Sequence, residues 1–557
     1  MLKPAKSKSV KLKPMANLIA NVCTMMCLTT SFSVANADER ESLEQLKATT
    51  TNLIELLVQE GVLNKDKADA IVKKATADAA KQVKLAKQAE QTSLKDENGN
   101  IHFQADTVEA AEKSVRVQYV PEHVKKEMRE EIKKDVMAKL NYKAGERLGL
   151  PSWLDRIAFN GDMRLRYQND SFSDNNASIA DLNNELRNAN ILNSSEERRR
   201  FRLRARLGAD LKVNDWLTGG LQLTTGLLNT PLTPNQTEGI LEGKFVFGLD
   251  RAFLKAKPTD WATLEGGRFA NPFFYTDLLW DPDLAFDGVV AMFNPKINDH
   301  WSTFATIGAF PLEEVQSSEV NKAEDKWLYS LQTGIQWQAA NKTTAKLAFA
   351  YHDFQNIEGR SNPTGLDFYD ATVPAFRQKG NKTFNINRLN GGISAAGVDT
   401  IALASQFELI NLTGQIDVLN FSPVHVTLTG DYVKNIGFDA DEIFKRTGNR
   451  YKEETDGYQL RLDVGHNSFL APANIEVKKR DWQVGLGYKY IEADAVLDGL
   501  TDSNFHLGGT DAKGWLLSGQ YGLDKNAWVS ARYFSTDTIT GPQLSIDVFL
   551  IDFIAKF

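Results

Sequence analysis

The sequence predicts an all-β transmembrane barrel of about 16 antiparallel strands, preceded by an α-helical, coiled-coil-like periplasmic segment. Three observations carry this. Hydrophobicity changes from a helical period to a period of two at Ile157, the connections after that point alternate between long and short, and the final strand ends in an alternating apolar face that closes on Phe557. Composition agrees by exclusion. The chain has 557 residues, 42% hydrophobic and 25% charged, with a formal charge of −7, close to an ordinary folded protein rather than a disordered, collagenous or disulfide-rich one. No stretch after the first forty residues approaches the roughly 20 consecutive apolar residues of a membrane helix. A strand barrel escapes that test, because its membrane signal is an alternation that averages to a polar composition. The acidic balance argues against a nucleic-acid partner.

Residues 1–37 read as a signal peptide. Lys3, Lys6, Lys8, Lys11 and Lys13 form a basic start, residues 15–28 a modest apolar run, and Ala35-Asn36-Ala37 a small-x-small cleavage site. Removing this segment takes away five lysines and no acid, so the formal charge goes from −7 to −12. Both cysteines, Cys23 and Cys27, leave with it, so an exported chain has neither disulfide nor thiolate metal site.

Residues 38–150 read as helical and polar. Leu46, Thr50, Leu53 and Leu57 recur at steps of four, three and four, a narrow heptad seam ended by Gly61. Asn64 caps a second, Ala- and Lys-rich helix over 65–90, and Pro121-Glu122 opens a third with Val124, Met128, Ile132, Val136 and Leu140 at steps of four. These stripes are too thin for a large core. They fit a solvated spacer or neck, or a module for oligomerisation or contact with the cell wall, peptidoglycan included.

Residues 151–557 are the predicted barrel. Sixteen runs of strand character fill it, from 157–168 and 198–213 at its start to 527–535 and 544–557 at its end. Short connections such as 214–216 and 258–260 alternate with long ones such as 227–243. A soluble sandwich has no reason to place its long loops at one end, whereas an outer-membrane barrel has short periplasmic turns and long outer loops. One connection, 467–480, is fourteen residues long where a short turn is expected. Several short turns end in tryptophan, at Trp216, Trp261, Trp301, Trp482 and Trp528, as in an aromatic girdle at the inner membrane interface. Parity divides them: Trp482 shares a face with Val484 and Leu486, but Trp261 shares one with Thr263 and Glu265.

In the last strand Phe549, Ile551, Phe553 and Ala555 alternate up to the terminal Phe557. This is the form of a C-terminal assembly signal read by the barrel-assembly machinery, and a barrel needs this strand to close against the first. The opposite face holds Ile546, Val548 and Leu550 beside Asp552, so something inside must cover it.

The run VQYVPEHVKKEMREEIKKDV ahead of WLDRIAFNGDMRLR, the segment GRFANPFFYTDLLWDPDLAFDGV, the pair DYVKNIGFDADEI and YKYIEADAVLDGLTDSNFHLGGTDAKG, and the ending QLSIDVFLIDFIAKF resemble the putative porin family of Gram-negative outer membranes. The resemblance spans the third helix to Phe557. It implies an outer-membrane channel for diffusion of ions and small hydrophilic solutes, in contact with lipid and lipopolysaccharide, with a homo-oligomer such as a trimer as its assembly. It offers no catalytic residues to carry over. A structural alternative is a barrel tethered to the cell wall by its helical neck.

Parity identifies candidate pore-lining residues. Arg198, Arg200, Arg202, Arg204 and Arg206 alternate with Phe201, Leu203, Ala205 and Leu207, and Arg164 and Arg166 alternate with Met163, Leu165 and Tyr167. An arginine facing lipid near the midplane costs roughly 2 to 4 kcal/mol, so these side chains are expected to face the lumen. Either they are paired filler of a polar interior or they form a ladder that selects solutes by charge. The connection over 271–285 is unlike a solvated loop, being aromatic and carrying two prolines with Asp277, Asp281 and Asp283. In general porins the loop between the fifth and sixth strands folds inward. By that resemblance Phe273, Phe274, Tyr275 and Trp280 would anchor it to the wall while its aspartates face the arginines; packing on a neighbouring subunit is the other reading.

No GxSxG, HExxH or GxxxxGK[ST] occurs, and the seven histidines have no metal-ligand spacing. The expectation is a non-enzyme with no cofactor and no metal. A barrel enzyme could still assemble a Ser/His pair from distant strands.

Overall fold

The computed structural model describes residues 154–186, 191–239, 241, 243–340, 342–388, 400–466 and 477–557. The expected signal peptide (1–37), the helical segment (38–150) and most of the long connection 467–480 lie outside them.

Sixteen long strands form one closed antiparallel sheet. They are β1 (Ile157–Phe172), β2 (Arg198–Lys212), β3 (Leu217–Thr225), β4 (Phe247–Thr259), β5 (Ala262–Ala270), β6 (Ala285–Phe293), β7 (Trp301–Glu313) and β8 (Lys326–Gln338). The second half runs β9 (Thr344–Gln355), β10 (Phe407–Phe421), β11 (Val424–Asn435), β12 (Asp456–Gly465), β13 (Trp482–Ile491), β14 (Ala512–Asp524), β15 (Ala527–Thr538) and β16 (Ser545–Lys556). Each strand pairs with its sequence neighbours, and β1 also pairs with β16, with Leu165 opposite Phe553 and Arg166 opposite Asp552. Closure leaves no strand edge in the bilayer, where unpaired backbone groups have no water to bind. At the seam the backbones of Gly161 and Phe557 exchange two hydrogen bonds of 3.0 Å. Gly161 is required there, because a Cβ would stand 2.6 Å from the Phe557 ring.

The burial pattern is inverted relative to a water-soluble sheet. Met163, Leu165, Phe201, Leu460, Val484, Leu486, Ile551 and Phe553 are exposed, while Arg166, Gln168, Gln332, Asn411, Thr413, Thr429 and Asp552 are buried. An apolar outer surface with a polar interior is the signature of a lipid-facing barrel. Trp216 and Trp261 are half exposed at the short-turn end, and Trp261 packs beside Phe293 with ring centroids 6.2 Å apart.

At the long-loop end the interior is apolar instead. Phe269, Phe286, Phe310, Leu328, Phe354, Phe407, Leu409, Val433, Ile491, Phe534, Ile546, Val548 and Leu550 form one buried cluster inside the barrel, joined by Leu182, Leu278, Trp280, Leu497 and Phe505 from loops. The inward apolar face of β16 is therefore covered by outer loops folding in. Above them a smaller core holds Phe384 and Ala402, from the ribbon Thr383–Asn385 and Ile401–Leu403, and Ile443 from the helix α2 (Ala440–Thr447); the other outer-loop helix, α1 (Ile179–Glu185), contributes Leu182. Asp439 caps α2 by accepting from the amides of Asp441 and Glu442, and Gly448 at φ +72° ends it.

Candidate pore constriction

Strands β1 and β2 bring the arginines together by register. Arg164 stands opposite Arg204 and Arg166 opposite Arg202. Like charges facing each other across an antiparallel pair are destabilising, so the arrangement persists only because carboxylates surround it. Asp552 accepts from Arg166 Nε at 2.6 Å and Nη2 at 2.8 Å, and from Arg532 at 3.3 Å. Asp162 accepts from Arg204 at 2.7 Å and Arg206 at 2.6 Å, and Asp170 from Arg200 at 2.7 Å. Asn235, in the loop after β3, accepts from Arg164 at 2.7 Å.

Arg202 differs from its neighbours. It donates to Gln168 Oε1 at 3.1 Å and the Asn235 carbonyl at 3.2 Å, and no carboxylate pairs with it among the described residues. The Nε groups of Arg200 and Arg202 likewise have no acceptor among the described residues. Arg198, at the start of β2 opposite Asp170, is exposed.

The loop over 271–284 runs across the lumen. Phe274 exchanges two 2.8 Å hydrogen bonds with Gln332 on β8, Thr276 donates to Asp431 on β11, and the Asp281 amide donates to the Leu500 carbonyl at 2.8 Å. Thr501 donates to the Leu278 carbonyl at 2.9 Å. Phe273 and Trp280 anchor it, both against His352, with centroids 5.2 and 5.3 Å away, and Trp280 also packs on Phe286 at 5.2 Å. Where its flanking strands meet, Gly267 and Gly288 face each other at φ +114° and +138°, and a Cβ on either would lie 2.3 Å from a neighbouring carbonyl oxygen. These two positions admit only glycine, and next to them Arg268 pairs with Asp287 at 2.7 Å.

The three loop aspartates do not act alike, which corrects the expectation that all of them face the arginines. Asp283 does: it lies 3.1 Å from Arg204 and 3.7 Å from both Arg164 and Arg206. Burial opposes its ionisation, but these guanidinium groups overcome that and hold its carboxyl down to about 2. Asp277 lies 3.5 Å from Lys489 on β13 instead. Asp281 accepts from the amides of Asp283 and Ser503 at 2.8 and 2.9 Å, and burial, reinforced by Asp283 and Asp502, pushes its carboxyl well up. The path of the loop, set by its hydrogen bonds to Leu500, Thr501 and Ser503, separates the three.

The counter-charges Asp162, Asp170 and Asp552 belong to the site as much as the arginines. Parity carries their signal, since Asp162 and Asp170 share the arginine face of β1, and Asp552 shares the inward face of β16. Arg532 carries the same signal, alternating with Ala531 and Tyr533 on β15, whereas Asn235 gives none, because a loop brings it in.

A closed sixteen-strand barrel with an apolar outer face and a charged interior crossed by a loop defines an outer-membrane channel protein. The chain matches the family described as "Putative porin" over residues 47–557 and belongs to it; it is an outer-membrane porin. Among curated proteins none matches it. Similar solved structures include OprB of Pseudomonas putida at high pH, with 13% identity, a TM-score of 0.42 and coverage of 72% of this chain and 95% of that one. The outer-membrane channel DcaP of Acinetobacter baumannii and OmpF of Salmonella typhi in complex with daunomycin each show 10% identity, a TM-score of 0.37 and coverage of 72% of this chain and 97% of theirs.

Proposed function

We propose that this porin passes small hydrophilic solutes by passive diffusion and prefers anions, with the β1/β2 arginines and Asp283 as its selecting constriction. One observation supports this most strongly: among the described residues Arg164, Arg166, Arg200, Arg204, Arg206 and Arg532 form direct ion pairs with four carboxylates, Asp162, Asp170, Asp283 and Asp552, and Arg202 forms none. Surplus fixed charge in a narrow, partly desolvated passage concentrates the opposite ion. A planar-bilayer recording in a potassium chloride gradient tests it. The zero-current potential should take the sign of chloride preference; a cation-selective channel would reject the reading.

In this reading the protein acts by passage rather than catalysis, assembles as a homo-oligomer such as a trimer in lipid and lipopolysaccharide, and keeps residues 38–150 in the periplasm. Phe549, Ile551, Phe553 and Phe557 serve as the assembly signal. Deleting Phe557 removes the ring over Gly161 and its two closing hydrogen bonds, and should lower the yield of heat-modifiable barrel in outer membranes; an unchanged yield would count against the signal.

A further inference from the structure

The lumen has a second feature beside the arginine wall. A cavity of about 200 Å³ opens between β5–β7 and the inward-folded outer loops, walled by Phe286, Phe310, Ile357, Phe376, Leu497 and Leu500. Five charged residues line it as well, and Arg377 lies close enough to Asp498 to act on its carboxyl. Arg268 is there with Asp287, and Glu313 is committed to Lys326 at 2.6 Å and to the Ala375 amide at 2.8 Å. A second cavity of about 90 Å³ shares Arg268 and Pro231 with the first and reaches Arg206 and Asp283. The apolar chamber and the cavity beside the constriction thus adjoin, with the Arg268 guanidinium lining both.

From this juxtaposition we infer that the porin holds a resident subsite for monocyclic aromatic carboxylates, which seat their ring in the chamber and turn the carboxylate toward Arg268 before moving on to Arg206. The size fits, since an apolar cavity of about 150 Å³ is enough to hold benzene. The chemistry fits as well. Phe286, Phe310 and Phe376 give the lining aromatic character suited to an aromatic solute, and a planar guanidinium suits a carboxylate. Inorganic ions and short aliphatic acids find the same arginines but no partner for the chamber. The inference rests on the proposed anion passage for its exit route, though not for occupancy of the chamber itself.

The test uses the full-length porin in planar bilayers carrying chloride current, with benzoate, acetate or benzyl alcohol added on the long-loop side. Benzoate should reduce the current at roughly tenfold lower concentration than acetate, and neutral benzyl alcohol should be weaker than benzoate. Phe376→Ala should lower the benzoate advantage roughly threefold to tenfold while leaving the chloride preference of the open channel unchanged. Arg268→Gln should erase the difference between benzoate and benzyl alcohol. Equal potency of benzoate and acetate on the unmodified channel would overturn the subsite and leave the anion reading intact. A cation-selective channel that still binds benzoate by calorimetry, with binding lost in Phe376→Ala, would keep the subsite and reject the anion reading.

Discussion

The two ends of the lumen are built from opposite materials. Near the long loops the inward positions are Phe, Leu, Ile and Val, packed against Trp280, Leu497 and Phe505 from folded-in loops. Toward the short turns the same alternating positions hold Asp162, Thr427, Thr429, Arg461, Asp463 and Gln483. The strands obey one period throughout, so the difference lies in what each segment must face. The outer half is a protein core that happens to lie inside a barrel, stabilised by removing apolar surface from water. The inner half and the β1/β2 wall are a charge network, held by ion pairs and suited to contact with water and ions.

That contrast makes the outer half sensitive to lost volume and the charged wall sensitive to lost partners. Trp280→Ala should have the largest effect, about 3–5 kcal/mol from truncating a fully buried ring, read as a lower thermal midpoint in detergent. Because Trp280 anchors the crossing loop, single-channel conductance should also rise; an unchanged conductance would mean the loop keeps its position without the ring. Arg166→Gln should come next, at about 3 kcal/mol, because it breaks an almost fully buried pair and leaves Asp552 the longer contact to Arg532, 3.3 Å, as its remaining direct ion pair among the described residues. Adding Asp552→Asn should recover part of that loss in the same urea unfolding experiment; no recovery would show that the pair is not the source of the cost.

A smaller effect separates the loops from the wall by pH. In the outer loop after β13, burial pushes Asp494 up to about 7 and Asp498 up to about 6. Asp494 Oδ2 has no hydrogen-bond partner among the described residues. The folded loop therefore keeps protons that an unfolded one has released, and stability present at acid pH is lost as pH rises through these values. Between pH 6 and 8 Asp494 alone should make opening about tenfold easier, or about 1.4 kcal/mol. Hydrogen exchange over 492–511, corrected for its intrinsic pH dependence, should show this in the parent and lose it in Asp494→Asn. An identical pH response in both would remove Asp494 as the cause.

Most of the wall was legible in the sequence and much of its filling was not. Period-two alternation locates all sixteen strands because the bilayer and the lumen impose opposite demands on neighbouring residues. The same rule places Arg164, Arg166 and Arg200 to Arg206 inside, and the aromatic, proline-bearing run after β5 marks a loop that packs rather than one that is solvated. Parity says which side a residue faces but not which residue it meets. It could not separate Asp283 from Asp277 and Asp281, whose neighbours are fixed by loop contacts to Lys489 and Ser503. The apolar inward ends of β5 to β9 were likewise silent, since alternation near a strand end weakens once a loop, rather than water, lies on the inner side.

The central claim is that surplus arginine charge on the β1/β2 wall selects the ion, and the reversal potential of the Arg202→Gln, Arg206→Gln double variant tests it most directly. Among the described residues Arg202 has no carboxylate to strand, and Asp162 keeps Arg204 when Arg206 is removed, so folding should be spared. The variant should shift its zero-current potential toward cations, most strongly near 0.01 M salt, where screening extends about 30 Å, and hardly at all near 1 M, where it extends about 3 Å. A folded variant whose reversal potential matches the parent at low salt would contradict the account.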